Sequence, residues 1–302
     1  MQKSERPAAL TLQGVFPPIP TPFEDGRFAP HRLTDNLNRL HDTGLAGYLL
    51  LGSNGEAPLL SHAEKLEVLR VARRAIPANK IMIAGTGQES TAATCLFTQQ
   101  AADLGAAAAL VLTPAYYRDR MSHEALRRHF ETVAEASPIP VLIYNVPKFT
   151  SLNLAPGLVA QLAAHPNIIG MKDSAGNLGQ LLELREKTPA DFQILAGSDG
   201  VFFSALVHGF GGGILALSNI APRACVTLVE WVQAQRWQEA AALAKKLAPV
   251  GRLIVSRLGV PGLKAALDEL GYFGGAPRPP LLPLNAETRR DIREVLRQAE
   301  LL

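Results

Sequence analysis

Cysteine is scarce in this chain: two in 302 residues, Cys95 and Cys225, far apart in sequence. That excludes a disulfide framework and every cysteine-based metal motif. Each lies in a segment with helical character and is expected to act as a small buried hydrophobe. Long apolar runs are also missing. No stretch approaches the ~18 residues that a membrane span requires, and Met1 to Thr11 lacks the apolar core of a leader. A cytoplasmic protein without a membrane partner is the expectation. Basic runs never exceed two residues, and the net charge is only +3, so nucleic acid is not an expected partner. The seven histidines (His31, His41, His62, His123, His129, His165, His208) form no cluster with metal-ligand spacing, and none ends an apolar run.

What the chain does have is hydrophobic residues in a repeating pattern. At 47% hydrophobic content it is long enough for one large α/β domain. Short apolar runs begin near Gly14, Gly47, Ile81, Ala108, Val141, Ile168, Phe192 and Gly213. Helical signals fill the gaps. Ser61 and Glu64 form a capping box, Ser122 precedes an apolar face of Leu126, Phe130 and Val133, and Asn177 pairs with Gln180 as a further cap. Eight strands alternating with helices, with no break in composition, predict an α/β fold, a (β/α)8 TIM barrel. The barrel is expected over residues 12–237. Residues 238–302 read as a C-terminal helical extension packed on it, with helices over Pro261 to Leu270 and Glu287 to Leu302 and an extended Pro-rich connector from Ala276 to Pro283.

In such a barrel the chemistry sits where the strands end. The second run ends in Gly52-Ser53-Asn54-Gly55-Glu56 and the fourth in Thr113-Pro114-Ala115-Tyr116-Tyr117. The fifth carries Tyr144-Asn145-Val146-Pro147, the sixth Lys172-Asp173-Ser174, and the seventh ends in Gly197-Ser198-Asp199. Lys172 is the most informative of these, because it interrupts the apolar run Ile168-Ile169-Gly170-Met171. Lysine is almost never buried without a partner or a task, and burial favours the uncharged amine, the form that attacks carbonyl carbon. Hydroxyls, a phenol and an amine thus converge on one rim. Gly211-Gly212-Gly213 precedes the eighth strand, at the opposite face, and is not expected to hold phosphate.

At GSNGE, TPAYYR, YNVP and GMKDS the sequence resembles the dihydrodipicolinate synthase / N-acetylneuraminate lyase family of Schiff-base aldolases, across nearly the whole chain. The resemblance implies Lys172 as the imine-forming lysine and Tyr144 as the acid/base phenol. It implies that Gly52, Ser53 and Asn54 hold the carboxylate of a 2-oxo acid, with Ser53 and one of Tyr116 or Tyr117 in a proton relay. Substrate contacts from Ser174, Gly197 and Leu215 are implied too. So are a homotetramer, a small 2-oxo-acid partner, and the absence of metal or any cofactor beyond the covalent imine.

A closer likeness is to the 4-hydroxy-2-oxoglutarate aldolase branch, in segments such as LTPAYYRDRMS and PGLKAALDELGYFGGAPR. The synthases carry an arginine two residues after the YNVP proline, where it clamps the carboxylate of the aldehyde; this chain has Phe149 there, with Lys148 beside it as a point charge that could take its place. Cleavage of 4-hydroxy-2-oxoglutarate to pyruvate and glyoxylate is therefore the expected activity. The alternatives are 4-hydroxy-tetrahydrodipicolinate synthase, or a sugar-acid lyase or dehydratase of the same family. A catalytically silent barrel that binds 2-oxo acids is the rival from another class.

Overall fold

A computed structural model of the chain describes residues 10–302; of the leader reading, Met1 to Ala9 lies outside the described residues. Eight parallel strands form one sheet: β1 (Gly14–Phe16), β2 (Gly47–Leu50), β3 (Ile81–Gly85), β4 (Ala108–Leu112), β5 (Val141–Asn145), β6 (Ile168–Asp173), β7 (Gln193–Ala196) and β8 (Gly212–Ile214). From β2 to β8 neighbours in sequence are neighbours in the sheet, and β1 pairs with β8, Gly14 facing Gly212. The remaining seam, between β1 and β2, runs past Pro17 and Pro18. Proline has no N–H to give to a ladder, so the barrel closes there through bonds from Leu49 N–H to the Pro17 carbonyl at 2.9 Å and from Ile19 N–H to the Leu49 carbonyl at 2.8 Å. This is the (β/α)8 barrel that the sequence pattern predicts.

Alternation along the strands separates two apolar layers. Phe16, Leu49, Ile83, Leu110, Leu142, Leu195 and Ile214 fill the barrel interior. Their neighbours, among them Val15, Tyr48, Leu50, Met82, Val111, Ile143, Met171 and Ala196, face outward into the core shared with the helices. The glycines before and within β8 serve packing. A Cβ on Gly212 would lie 1.9 Å from the Gly14 carbonyl oxygen, so only glycine lets β1 approach this closely.

The outer layer comprises α1 (Pro30–Leu40), α2 (His62–Ala75), α3 (Thr91–Asp103), α4 (His123–Ala136), the short α5 (Pro147–Thr150), α6 (Pro156–Leu162), α7 (Leu178–Lys187), α8 (Asp199–Val207) and α9 (Pro222–Gln233). Cys225 is buried in α9 and Cys95 half-buried in α3. The Ser61–Glu64 capping box opens α2, and the Ser122 hydroxyl caps α4. The Asn177 side chain caps α7, but Gln180 does not return the bond; its amide turns instead to Asn153 and Asp173. An antiparallel hairpin, Phe23–Glu24 against Arg27–Phe28, follows β1 and was not anticipated.

The C-terminal helical region comprises α10 (Trp237–Val250), a π-helical stretch over Gly251–Leu258, α11 (Gly259–Glu269) and α12 (Ala286–Gln298). α11 starts two residues earlier than expected and continues directly from the π-helical turn; α12 ends four residues short of Leu302. The Pro-rich connector is not fully extended: Leu281 N–H bonds back to the Arg278 carbonyl at 3.1 Å, closing a turn. Within the described residues, no helix is long and apolar enough to cross a membrane.

Arg278 of that connector ties the extension to α2. Its guanidinium makes a two-pronged bond with Glu64, at 2.8 and 2.7 Å, and a further one with the Leu59 carbonyl at 3.0 Å. The Arg278 hydrogen bonds hold the Glu64 carboxyl at about 2, well below its ordinary value of 4.5. A depressed carboxyl contributes stability that is present above its unfolded pKa and lost as pH falls towards the folded one. Arg278→Met is therefore expected to lower the thermal midpoint at pH 7, and the gap to wild type should close between pH 5 and pH 2, about the window those two values define. A gap independent of pH in melting curves across that range would refute the ionic part of this contact.

Candidate active site

The register between β5 and β6 sets Tyr144 directly beside Lys172 and Asn145 beside Asp173. Lys172 points into the barrel mouth and is 3% exposed; its ammonium lies 4.3 Å from the centre of the Tyr144 ring, over the face of the phenol. Tyr144 is buried too, and its hydroxyl is 3.3 Å from the Ser53 hydroxyl. The three groups expected to carry the chemistry therefore form one contiguous set, contributed by the ends of β2, β5 and β6.

Each is positioned by its surroundings. Gly197, at the end of β7, leaves room for the lysine: a Cβ there would be 3.0 Å from Lys172 Cε and 2.1 Å from the Ser174 hydroxyl. Ser174 donates that hydroxyl to the Gly197 carbonyl at 3.1 Å. Behind the site Asp173 is buried among amides. It accepts from Asn145 at 2.7 Å, from Gln180 at 3.0 Å and from the Ala175 N–H at 3.0 Å. Burial pushes the Asp173 carboxyl up, and these donors pull it down. Ser53 and Asn54 open a single 3-10 turn, Ser53–Gly55, whose first amides have no acceptor within the turn.

Beside Ser53 and Tyr144 lies a cavity of about 290 Å³, also lined by Lys65, Gln88, Glu89 and Thr113. Among the described residues the buried Thr113 hydroxyl has no hydrogen-bond partner, and Lys65 is 9% exposed with its ammonium 3.1 Å from the Gln88 amide oxygen. Desolvation lowers the Lys65 pKa. Neither residue was singled out in the sequence, although Thr113 opens one of the motifs. Asp199, the first residue of α8, lies outside that lining. Burial raises its carboxyl to about 7, against a Leu217 N–H at 3.4 Å and the positive charge of Lys172, which both lower it.

Three expected contacts are not brought together within this chain. Tyr116 and Tyr117 stand 78% and 70% exposed, edge to face with each other, over a separate surface depression. Glu89, from the loop after β3, accepts the N–H groups of Ala115 and Tyr116, both at 2.9 Å, and holds the loop in this setting. Leu215 is wholly buried in the layer between barrel and helices, its N–H bonded to Phe16 and its carbonyl to Ser218. Lys148, next to the missing arginine, donates to the Ser256 carbonyl of the π-helical turn at 2.8 Å, and Phe149 is exposed.

Residues 11–299 match the model of the Dihydrodipicolinate synthetase family. Among curated relatives, the 4-hydroxy-tetrahydrodipicolinate synthase of Methanothrix thermoacetophila is 36% identical over 288 residues, covering 94% of this chain and 96% of its own. That of Listeria monocytogenes serotype 4a is 32% identical, covering 95% and 98%. The chloride-inhibited dihydrodipicolinate synthase from Acinetobacter baumannii, complexed with pyruvate, superposes with a TM-score of 0.92 at 31% identity, over 97% of this chain and all of that one. The chain thus belongs to the dihydrodipicolinate synthetase family and is a pyruvate-dependent enzyme of the class I aldolase type.

Proposed function

We propose that the chain cleaves 4-hydroxy-2-oxoglutarate to pyruvate and glyoxylate through an imine on Lys172, without metal or external cofactor. The observation that carries the substrate choice is the rim at Lys148 and Phe149. Phenylalanine offers no grip on a carboxylate, and the lysine is engaged with the Ser256 carbonyl. Phenylalanine and a lysine so engaged do not supply the bidentate grip by which an arginine would hold aspartate semialdehyde.

In this reading the amine of Lys172 adds to the ketone and water leaves, giving a protonated imine. That imine is the electron sink for the bond between carbons 3 and 4. Tyr144 removes the proton of the 4-hydroxyl as the bond breaks, and an enamine of pyruvate remains. Phenol is a weak base at neutral pH. The Ser53 hydroxyl at 3.3 Å and the cation formed on the neighbouring Lys172 assist it. Glyoxylate departs, the enamine is protonated at carbon 3, and hydrolysis frees the amine. The turn at Gly52, Ser53 and Asn54 receives the carboxylate next to the ketone and orients the breaking bond against the imine plane. Ser174 and Gly197 shape the space around the lysine. A homotetramer, as the family likeness implies, is part of this proposal.

The second reading is 4-hydroxy-tetrahydrodipicolinate synthase, the condensation of pyruvate with aspartate semialdehyde. The names of the relatives favour it.

Lys172→Ala is expected to abolish turnover and the pyruvyl adduct formed on borohydride reduction while leaving the melting curve intact. Residual activity above roughly a per cent would end the imine mechanism. Tyr144→Phe should still form the trapped adduct but cleave roughly 10²–10⁴-fold more slowly; wild-type rates would remove Tyr144 from proton transfer. Steady-state kinetics on both substrates separate the two readings. Absence of a charge-assisted clamp costs ~2–5 kcal/mol, or about 30- to 4000-fold in kcat/KM. Aspartate semialdehyde should therefore be the poorer substrate by that order. Equal or better kcat/KM for aspartate semialdehyde would establish the synthase.

A further inference from the structure

The segment that carries Ser53 and Asn54 is bracketed by two residues in the left-handed region, Leu51 at φ 60° and Glu56 at φ 55°. Glycines stand beside them at 52 and 55, yet the strained positions themselves hold side chains. A side chain in this conformation crowds its own backbone, and such strain persists only where the surroundings over-determine it. At Leu51 the restraint is steric: its carbonyl lies against Gly85, where a Cβ would come within 2.2 Å of it.

At Glu56 the restraint comes from the far end of the chain. The carboxylate is buried, and the Lys264 ammonium of α11 lies 2.6 Å from Oε1, with both side chains no more than 1% exposed. The ammonium also donates to the Ala276 carbonyl at 3.1 Å. Oε2 accepts the Arg278 backbone N–H at 2.7 Å. The Phe23 ring is clasped between the two cations, 4.4 Å from Lys264 and 4.2 Å from Arg278. On the other side the Thr21 hydroxyl holds the Gly55 carbonyl at 2.6 Å.

A buried ion pair is a poor source of stability, because apolar residues of similar volume often serve as well. Its position at the strained end of the Ser53–Asn54 turn gives it a different task. We propose that Glu56 and Lys264 are positioning residues for the substrate carboxylate: through this pair the C-terminal extension holds the turn in register with Lys172 and Tyr144. The inference rests on the reading of Gly52, Ser53 and Asn54 as the carboxylate cradle. Neither residue lines the cavity beside Ser53 and Tyr144. Burial keeps the Lys264 amine below the ordinary lysine range, with Glu56 and Asp268 acting in the opposite sense and Arg278 in the same one.

The test is a saturation curve for borohydride trapping of pyruvate, read as intact mass, on wild type, Lys264→Met and Glu56→Leu/Lys264→Met. The double variant removes both charges at similar volume, and it decides the matter if the single variant, with its carboxylate left unpaired, does not fold. All are assayed well below their own melting midpoints. Half-saturating pyruvate is expected to rise about tenfold or more, with the plateau still at one adduct per chain. A folded variant that saturates as wild type does would reduce the pair to a structural contact and overturn the proposal. Failure of both variants to fold overturns it as well, since the pair would then be a requirement of the barrel. If wild type itself gains no adduct, the imine reading falls first and this inference with it.

Discussion

Everything at the rim depends on one register, that of β5 on β6. Tyr144 faces Lys172 across the ladder, and the next pair, Asn145 and Asp173, points the opposite way. In a sheet with period two, a slip of one residue would bury the lysine among the helices and bring the carboxylate into the barrel. The outward pair resists that slip. Asp173 accepts from Asn145 and Gln180, and Asn153 joins the same cluster through both amides. The two strands thus carry reactive groups on one face and their lock on the other. An apolar outer face would permit neighbouring registers at little cost; a buried carboxylate with a fixed set of amide donors does not.

The barrel was legible because buried parallel strands read as short apolar runs. Lys172 and Tyr144 were legible for the complementary reason: polar groups at the ends of such runs stand out. Other features left weaker traces. The hairpin after β1 has arms of two residues, too short for a period to show. Its turn pair, Asp25-Gly26, with both residues at positive φ, was the available signal. Gln180 looked like a cap partner at the right spacing, but a buried carboxylate is a stronger claimant on its amide than an exposed helix end. The outward set of Tyr116 and Tyr117 could not be read at all. It depends on Glu89, from the loop after β3, taking two amides of the loop after β4.

Contacts that span the chain were the least legible. Glu56 reads as part of a turn motif and Lys264 as an ordinary helical lysine, and nothing local in either segment announces a partner. Their pairing appears only once α11 has packed against the loop after β2, with Phe23 between the cations. Segments far apart in sequence must pay closure entropy before such a contact returns anything.

The contact between Lys172 and Tyr144 also bears on how the site begins its cycle. The ammonium lies over the ring face, where the π-system attracts it, and no hydrogen bond joins it to the phenol oxygen. The hydroxyl is shared with Ser53 instead. Amine and phenol are thus held side by side without consuming each other's donors. An amine locked to the phenol oxygen would have to give up that bond before attacking a ketone, and the phenol would start the cleavage step facing the wrong partner. With the present arrangement the nitrogen can become an imine while the hydroxyl stays directed towards Ser53 and the cavity beyond it. In the proposed mechanism the protonated imine is also a cation, which the same ring face would attract.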